Sequence, residues 1–368
     1  MIYFLGKLLH PHFGTLSFLR LAEYISARAI GAALTAIILT LWLTPIVIRH
    51  LHRKGLVDQW RNTGVDAAFD KAGTPSMGGA VVVGCVLVSC LAWCNLSNMF
   101  LVAVLAGMAW FGMIGFLDDR AKARFHSGDL GMSEPKKLML QGLFAAALVA
   151  LMLGPWSPLP ADQMGAFYVP FLKFPVFQSV WAYAPIVFLF VIVVGNSVNI
   201  ADGMDGLAIV PSVFVLGVLG LFGYFLGNAI YARYLNYPLL AGAGELAVFA
   251  SAFAGAGIGF LWFNAYPAQI FLGDTGSMAI GGAIATACVV LQQEVLFLIL
   301  GGMFLTEAVT SQIQDKIGVR WLGRRIFMRA PIHHQMQHKG LAETKVVIRL
   351  WIVSGILALA ALATLKLR

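Results

Sequence analysis

The chain has 368 residues, of which 60% are apolar and only 11% are charged. Soluble globular domains carry about 25% charged residues, so this composition excludes a water-soluble enzyme, a disordered chain and a soluble nucleic-acid-binding protein. The excess of 25 Lys and Arg residues over 17 Asp and Glu residues is therefore interpreted first as a signal of membrane topology.

Ten segments are long and apolar enough to cross a bilayer core, which requires roughly 20 residues per helix. They lie near residues 29–48, 77–96, 99–117, 138–154, 179–195, 207–226, 246–263, 277–291, 295–313 and 346–365. The sequence shows no repeat and no soluble-domain linker. It therefore predicts an all-α polytopic membrane protein with about ten transmembrane helices in a single domain, residues 1–368.

The connection between the fourth and fifth spans, residues 155–178, differs from the other loops. It contains five prolines with Phe and Tyr residues between them, which excludes a regular helix. We expect a short extended or β-hairpin-like element there, on the outer surface of the membrane.

The basic residues are distributed unevenly along this scheme. Eighteen of the 25 Lys and Arg residues fall in three connecting stretches, residues 49–76, 118–137 and 314–349, which all follow odd-numbered spans. Cytoplasmic loops are enriched in Lys and Arg, so these connections are predicted to be cytoplasmic, with both termini outside.

Four polar clusters interrupt the apolar pattern, each where an odd-numbered span is predicted to reach the cytoplasm. Their members are Asp118, Asp119 and Lys122; Asn196, Asn199, Asp202 and Asp205; Asp274; and His333 and His334. Each cluster alone could be a solvated helix end, a turn or a helix cap. Four clusters on one face predict one shared site in cytoplasmic loops.

The residue types in these clusters indicate the chemistry. Several carboxylates beside Lys and His, without Cys ligands, suit a hard cation such as Mg²⁺ bound to phosphates. The sequence contains no GxxxxGK[ST] loop, and the glycine run at 255–259 lies inside a span, where small residues favour helix packing. We interpret the site as one for phosphoryl transfer onto or off a lipid.

At these clusters the sequence resembles the phospho-N-acetylmuramoyl-pentapeptide-transferase family, within the polyprenyl-phosphate N-acetylhexosamine-1-phosphate transferases. The matching stretches run in family order over nearly the whole chain. They are GTPSMGG at 73–79, GFLDD at 115–119, NSVNIADGMDGL at 196–207, GFLWFN at 259–264, FLGDTGS at 271–277 and APIHH at 330–334.

The resemblance implies ten helices, an external hairpin, a homodimer and a place in the bacterial cytoplasmic membrane. It also implies an Mg²⁺-dependent reaction of peptidoglycan synthesis, and hence a role in cell-wall growth, cell shape and division. In that reaction undecaprenyl phosphate attacks the sugar-linked phosphate of UDP-N-acetylmuramoyl-pentapeptide, which gives lipid I and UMP.

The resemblance also implies roles for individual residues. Asp274 is expected to ligate the metal, and Asp118, Asp119 and His333 are the expected catalytic residues. The expected substrate-binding residues are Lys71, Thr74, Lys122, Asn196, Asn199, Asp202, Asp205, Asn264, Phe271 and His334.

The chain departs from the family pattern in the histidine loop, where Gln335 stands in place of a third histidine and Gln337 in place of an acid. Glutamine does not titrate, so neither position is expected to act as an acid or base. Two alternatives stay open. One is a sister transferase that uses another UDP-N-acetylhexosamine; the other is a transporter, for which Glu307 is the best intramembrane acid.

Overall fold

The computed structural model describes residues 3–4, 23–55, 73–125 and 131–367, and most of these residues are helical. Eight helices within these ranges are long and apolar enough to cross a membrane. They are α1 (Ile25–Arg53), α3 (Met99–Phe125), α4 (Glu134–Leu153), α5 (Val180–Ala201), α6 (Ile209–Leu226), α8 (Glu245–Asn264), α9 (Gly273–Val290) and α13 (Glu343–Ala363).

The other two predicted spans are also helical. The second is α2 (Gly79–Trp93), and the ninth is divided at Gly301 into α10 (Leu296–Leu300) and α11 (Gly302–Gln312). A π-helical segment, Ile313–Trp321, continues α11. The all-α polytopic fold is thus confirmed. Two short helices were not predicted, α7 (Ala229–Tyr234) and α12 (Ile332–His338), because each is too short to carry a periodic apolar pattern.

The proline-rich connection between α4 and α5 forms a small β-hairpin, as expected. Strands β1 (Ala166–Phe167) and β2 (Phe177–Gln178) pair antiparallel. Their two phenylalanine rings stack with centroids 5.1 Å apart, which provides a cross-strand contact for this two-residue ladder.

Helix α9 is the most buried of the eight long apolar helices, and glycines on its neighbours permit close contacts with it. A Cβ atom at Gly115 of α3 would lie 2.1 Å from the carbonyl oxygen of Asp274, and one at Gly79 of α2 would lie 2.1 Å from Cα of Gly276. Only glycine permits such approaches between helix backbones. These contacts bring the end of α3 that carries Asp118 and Asp119 against the start of α9.

The glycine run in α8 packs against α1, as the sequence interpretation expected. A Cβ atom at Gly255 would lie 2.2 Å from the carbonyl oxygen of Ala33, and one at Gly259 would lie 3.0 Å from Cβ of Thr40. The run is therefore a helix-packing surface.

A buried polar group lies beside the β-hairpin, at the end of α9 opposite Asp274. Glu294 accepts a hydrogen bond from the hydroxyl of Tyr183, and Nε2 of Gln292 donates to the carbonyl oxygen of Gln163 at 2.9 Å. Burial raises the pKa of the Glu294 carboxyl from 4.5 to about 7.

This shift predicts a specific pH dependence of stability. The folded protein holds the Glu294 proton more tightly than the unfolded chain, so through this group the free energy of unfolding falls as the pH rises from about 4.5 to 7. Glu294→Gln keeps an acceptor for Tyr183 but cannot ionise, so its thermal stability should decline less over that range. Melting curves between about pH 5 and 8 test this. The exposed Asp162→Asn variant, near the hairpin, is the control and should follow wild type.

Candidate functional site

Two carboxylates from different helices converge on one ammonium group. Nζ of Lys122 donates to Oδ2 of Asp274 at 2.6 Å and lies 2.9 Å from Oδ2 of Asp118. Asp118 and Lys122 are four residues apart on α3 and so share a face, while Asp274 lies in the first turn of α9. The structure thus brings together three of the predicted site residues from two separate clusters.

Lys137, in the first turns of α4, joins the same group. Its Nζ lies 2.8 Å from Oδ2 of Asp118 and 3.6 Å from Oδ2 of Asp274. The sequence interpretation counted Lys137 only as part of the topology signal. The sequence distinguishes Lys137 only by its position two residues after Pro135, in the stretch 118–137 that was predicted to connect the third and fourth spans. Which cation of that loop turns inward depends on how α4 packs.

Asp119 faces a different direction from its neighbour and caps a helix of another segment. Its carboxylate accepts hydrogen bonds from the backbone N–H groups of Asp274 (3.1 Å) and Thr275 (2.9 Å) and from the Thr275 hydroxyl (2.6 Å). It thereby satisfies orphan donors at the N-terminus of α9, where a negative charge is favoured by the helix dipole. Asp119 therefore holds Asp274 in place against α3.

The two asparagines of the 196–207 motif have different hydrogen-bond partners. Asn199 donates through Nδ2 to Oδ1 of Asp274 (2.8 Å) and to the hydroxyl oxygen of Ser277 (2.9 Å), so it belongs to the carboxylate group. Asn196, about one helical turn earlier, exchanges two hydrogen bonds with the amide of Gln141 on α4, at 2.7 and 3.1 Å. The amide of Asn196 thus joins α4 and α5.

After α5 the 196–207 motif continues into a loop, residues 202–206, which is fixed by hydrogen bonds to other segments. Oδ2 of Asp205 accepts from the backbone N–H of Ala268 at 3.0 Å. The amide of Asn264 accepts from the backbone N–H of Gly206 at 3.1 Å and donates to the carbonyl oxygen of Ile270 at 2.9 Å. These contacts tie the 202–206 loop to the connection between α8 and α9.

Asp202 lies at the C-terminal end of α5, close to other acids. Desolvation, followed by repulsion from Asp274, Asp119 and Asp205, raises the pKa of the Asp202 carboxyl well above its ordinary value. A carboxyl with this property can hold a proton or receive a cation or a hydrogen-bond donor of a ligand.

Replacement of Asp202 by Asn should therefore stabilise the protein while weakening its function. The folded state binds the Asp202 proton more tightly than the unfolded chain, so this group lowers stability as the pH rises above the unfolded pKa of about 4. We expect Asp202→Asn without added Mg²⁺ to melt about 2 °C or more above wild type at pH 8, with a smaller difference near pH 5. The resemblance implies that Asp202 binds the nucleotide substrate, so the affinity of the variant for that substrate should also fall about tenfold or more. Equal melting temperatures at pH 8 would contradict this account.

The remaining predicted contacts of the substrate lie on two neighbouring loops. The 73–78 loop and the start of α9 are joined by backbone hydrogen bonds, from Phe271 N to Pro75 O (2.9 Å) and from Gly78 N to Phe271 O (2.8 Å). Thr74 and Phe271 are both half-buried there. Lys71 lies outside the described residues, so its predicted role in binding stays a prediction.

The histidine motif lies on α12 and meets the 202–206 loop. His333 is fully buried, and a Cβ atom at Gly203 would lie 2.3 Å from its Nε2 atom. His334 is half-buried, with its ring centroid 4.3 Å from that of His333. Desolvation, together with the neighbouring His333, lowers the pKa of His334. The structure therefore brings the histidine and Asp202 clusters into contact.

The two glutamines that depart from the family pattern both make local hydrogen bonds. Oε1 of Gln335 accepts from the backbone N–H of Arg329 at 2.8 Å, and Oε1 of Gln337 lies 3.3 Å from Nδ1 of His334. They support the shape of the loop and the orientation of His334.

The donor set fits a divalent cation, although no group of three or more His, Cys, Asp or Glu with metal-site spacing occurs among the described residues. The fit rests on Asp118 and Asp274, whose Oδ2 atoms already converge on the positive charge of Lys122. Both are hard oxygen donors, and Asn199 hydrogen-bonds to one of them. Carboxylates placed in this way favour a cation between them.

Comparisons with known proteins identify the family of the chain. The family model described as glycosyl transferase family 4 matches residues 101–292, just over half of the chain. A phospho-N-acetylmuramoyl-pentapeptide-transferase from Sorangium cellulosum (strain So ce56) is 41% identical over 379 aligned residues, which cover 100% of both chains. With a relative this similar over its full length, the chain belongs to glycosyl transferase family 4 and, within it, to the phospho-N-acetylmuramoyl-pentapeptide-transferase family.

Proposed function

We propose that this membrane enzyme transfers phospho-N-acetylmuramoyl-pentapeptide from its UDP derivative to undecaprenyl phosphate, the first membrane step of peptidoglycan synthesis. The relative from Sorangium is named for this activity and matches the whole chain. The structural observation that supports it best is the convergence of Asp118 and Asp274 on Lys122, at the point where the motif-bearing helix ends meet.

The reaction exchanges one phosphoanhydride bond for another. An oxygen of undecaprenyl phosphate attacks the phosphorus that bears the sugar, and the bond from that phosphorus to the bridging oxygen of UMP breaks. UMP leaves with the electron pair of that bond, and the two phosphates of lipid I remain linked. The nucleophile has a second pKa near 6, so at neutral pH it is largely dianionic and needs little deprotonation.

The chain's own residues would then align two anions and reduce their repulsion. Lys122 and Lys137 supply positive charge beside the carboxylates, and Lys71 is proposed to bind the diphosphate. Asp118 would orient the lipid phosphate, while Asp119 keeps Asp274 in place. Asp274, with Asp118, would hold Mg²⁺, which supplies charge neutralisation for the diphosphate when bound.

The proposal extends to location and assembly. The single domain, residues 1–368, would lie in the bacterial cytoplasmic membrane with the site on the cytoplasmic face and both termini outside, as the distribution of Lys and Arg indicates. A homodimer is expected from the family resemblance.

A sister activity with another UDP-N-acetylhexosamine is the alternative. Purified protein with undecaprenyl phosphate and Mg²⁺ should release UMP from UDP-N-acetylmuramoyl-pentapeptide and much less from UDP-N-acetylglucosamine. The reverse preference would support the sister transferase, and release from neither would contradict both. The transporter interpretation depended on Glu307 as an intramembrane acid. In the structure Glu307 contacts Nδ1 of His333, so this acid belongs with the histidine motif and does not support a transporter.

A further inference from the structure

A buried acid that the reaction scheme does not use lies next to the histidine motif. Glu307 of α11 and His333 of α12 are both fully buried. Nδ1 of His333 lies 2.9 Å from Oε2 of Glu307, and the backbone N–H of His333 lies 3.4 Å from the same oxygen. The acid and the histidine are 26 residues apart in the sequence and meet only because α12 folds back onto α11.

This contact decides which ring nitrogen of His333 is available. A carboxylate can only accept, so Nδ1 must carry the proton that it donates to Glu307. The second nitrogen, Nε2, is then left for another partner. It is buried, and no hydrogen-bond partner for it is found within the described part of the chain.

The free nitrogen is directed at the substrate-binding motif. Gly203, at which a Cβ atom would lie 2.3 Å from Nε2, follows Asp202 directly in the 202–206 loop. A side chain at this position would push the ring away, so the glycine permits the ring to reach the loop. The arrangement is a carboxylate that orients a histidine whose other nitrogen points into a functional loop.

We propose that Glu307 is a positioning residue for the transfer reaction, which fixes the ring of His333 with Nδ1–H on the acid and Nε2 towards the 202–206 loop. The inference rests on the proposed function, because it assigns Glu307 a part in the same site. It accounts for the presence of an acid in an apolar helix, because the partner of that acid is the imidazole of His333.

The test is a double-mutant cycle on UMP release. If Glu307 acts through His333, Glu307→Ala should lower kcat/KM about 10–100-fold, and Glu307→Ala combined with His333→Ala should be at most about threefold worse than His333→Ala alone. Glu307→Gln keeps an oxygen that can accept from Nδ1–H, so it should recover to within about tenfold of wild type, whereas Glu307→Leu should not.

Two controls separate positioning from stability. Glu294→Gln also removes a buried carboxylate, but at the hairpin end of α9, so it should change melting temperature without changing kcat/KM. Melting curves of all Glu307 variants show whether activity simply follows stability. Effects of Glu307→Ala and His333→Ala that multiply, or an equally active Glu307→Leu variant, would overturn the proposal.

The proposed function and this inference fail in different ways. UMP release by the wild-type protein tests the proposed function. The double-mutant cycle on Glu307 and His333 is then run with whichever sugar nucleotide supports UMP release. A change of preferred sugar therefore contradicts the proposed substrate and leaves the comparison between Glu307 and His333 variants intact.

Discussion

Replacement of Asp274 by Asn should reduce Mg²⁺-dependent UMP release by about 10³-fold or more while leaving a folded protein. The structure gives two reasons. The change removes the negative charge that, with Asp118, would hold the cation. It also leaves one unfavourable contact, because Asp274 accepts from Lys122 on one oxygen and from Asn199 on the other. An amide offers only one acceptor oxygen, so one donor would face another donor.

The measurement is the initial rate of UMP release as a function of Mg²⁺ concentration. Ser277→Ala is the matched control, since it removes a hydrogen bond to Asn199 in the same helix turn without altering charge. It should stay within about threefold of wild type. Wild-type rates for Asp274→Asn at saturating Mg²⁺ and substrate would refute the role of Asp274 as a metal ligand.

Asp118→Asn should also lower turnover by about 10³-fold. In the wild-type enzyme we expect direct attack, with no covalent intermediate on Asp118. The carboxylate of Asp118 is fully buried and engaged on both oxygens. Oδ1 accepts from the backbone N–H of Met132 at 2.5 Å, and Oδ2 contacts the ammonium groups of Lys122 and Lys137. A carboxylate held in this way suits orientation of a phosphate better than nucleophilic attack.

A covalent aspartyl intermediate is the rival mechanism and makes a different prediction. Wild-type protein given UDP-N-acetylmuramoyl-pentapeptide without undecaprenyl phosphate should then release a burst of UMP and retain a phospho-sugar adduct. Direct attack predicts neither. Asp119→Asn provides a contrast to Asp118→Asn, because it weakens the cap of α9 and should lower the melting temperature as well as activity. Trapping an adduct on Asp118 or Asp119 would exclude direct attack.

The class of protein and the positions of its spans followed from the sequence. The length of an apolar run is a local property of the sequence, and a bilayer core requires helices of about that length, so the ten predicted segments lie on helices. The prolines of residues 155–178 likewise exclude a regular helix, and that segment forms the hairpin. The ninth span shows the limit of this reasoning. Its hydropathy is continuous, but Gly301 interrupts the helix, and hydropathy carries no information about such a break.

The motifs likewise predicted which clusters would come together, yet the direction of each side chain within a cluster required the tertiary structure. Asp118 and Asp119 are adjacent, but one faces two lysines and the other caps α9. Asn196 and Asn199 belong to the same motif, but of the two only Asn199 reaches Asp274, while Asn196 bonds to Gln141. Neighbouring helix positions point about 100° apart, so the rotation of each helix in the bundle decides which of them meets a partner.

The composition, 11% charge in a 60% apolar chain, determined by itself that this is a membrane protein, and the uneven distribution of Lys and Arg along the chain predicts on which face its chemistry lies. Only the tertiary structure showed which charged residues lie in the site and which belong only to the basic loops. Lys137 lies against Asp118, and Glu307 lies against His333, through contacts between segments distant in sequence. The physical reason is that hydropathy depends on the solvent around each segment, whereas these pairs depend on glycine-mediated helix packing and on the folding of α12 back onto α11.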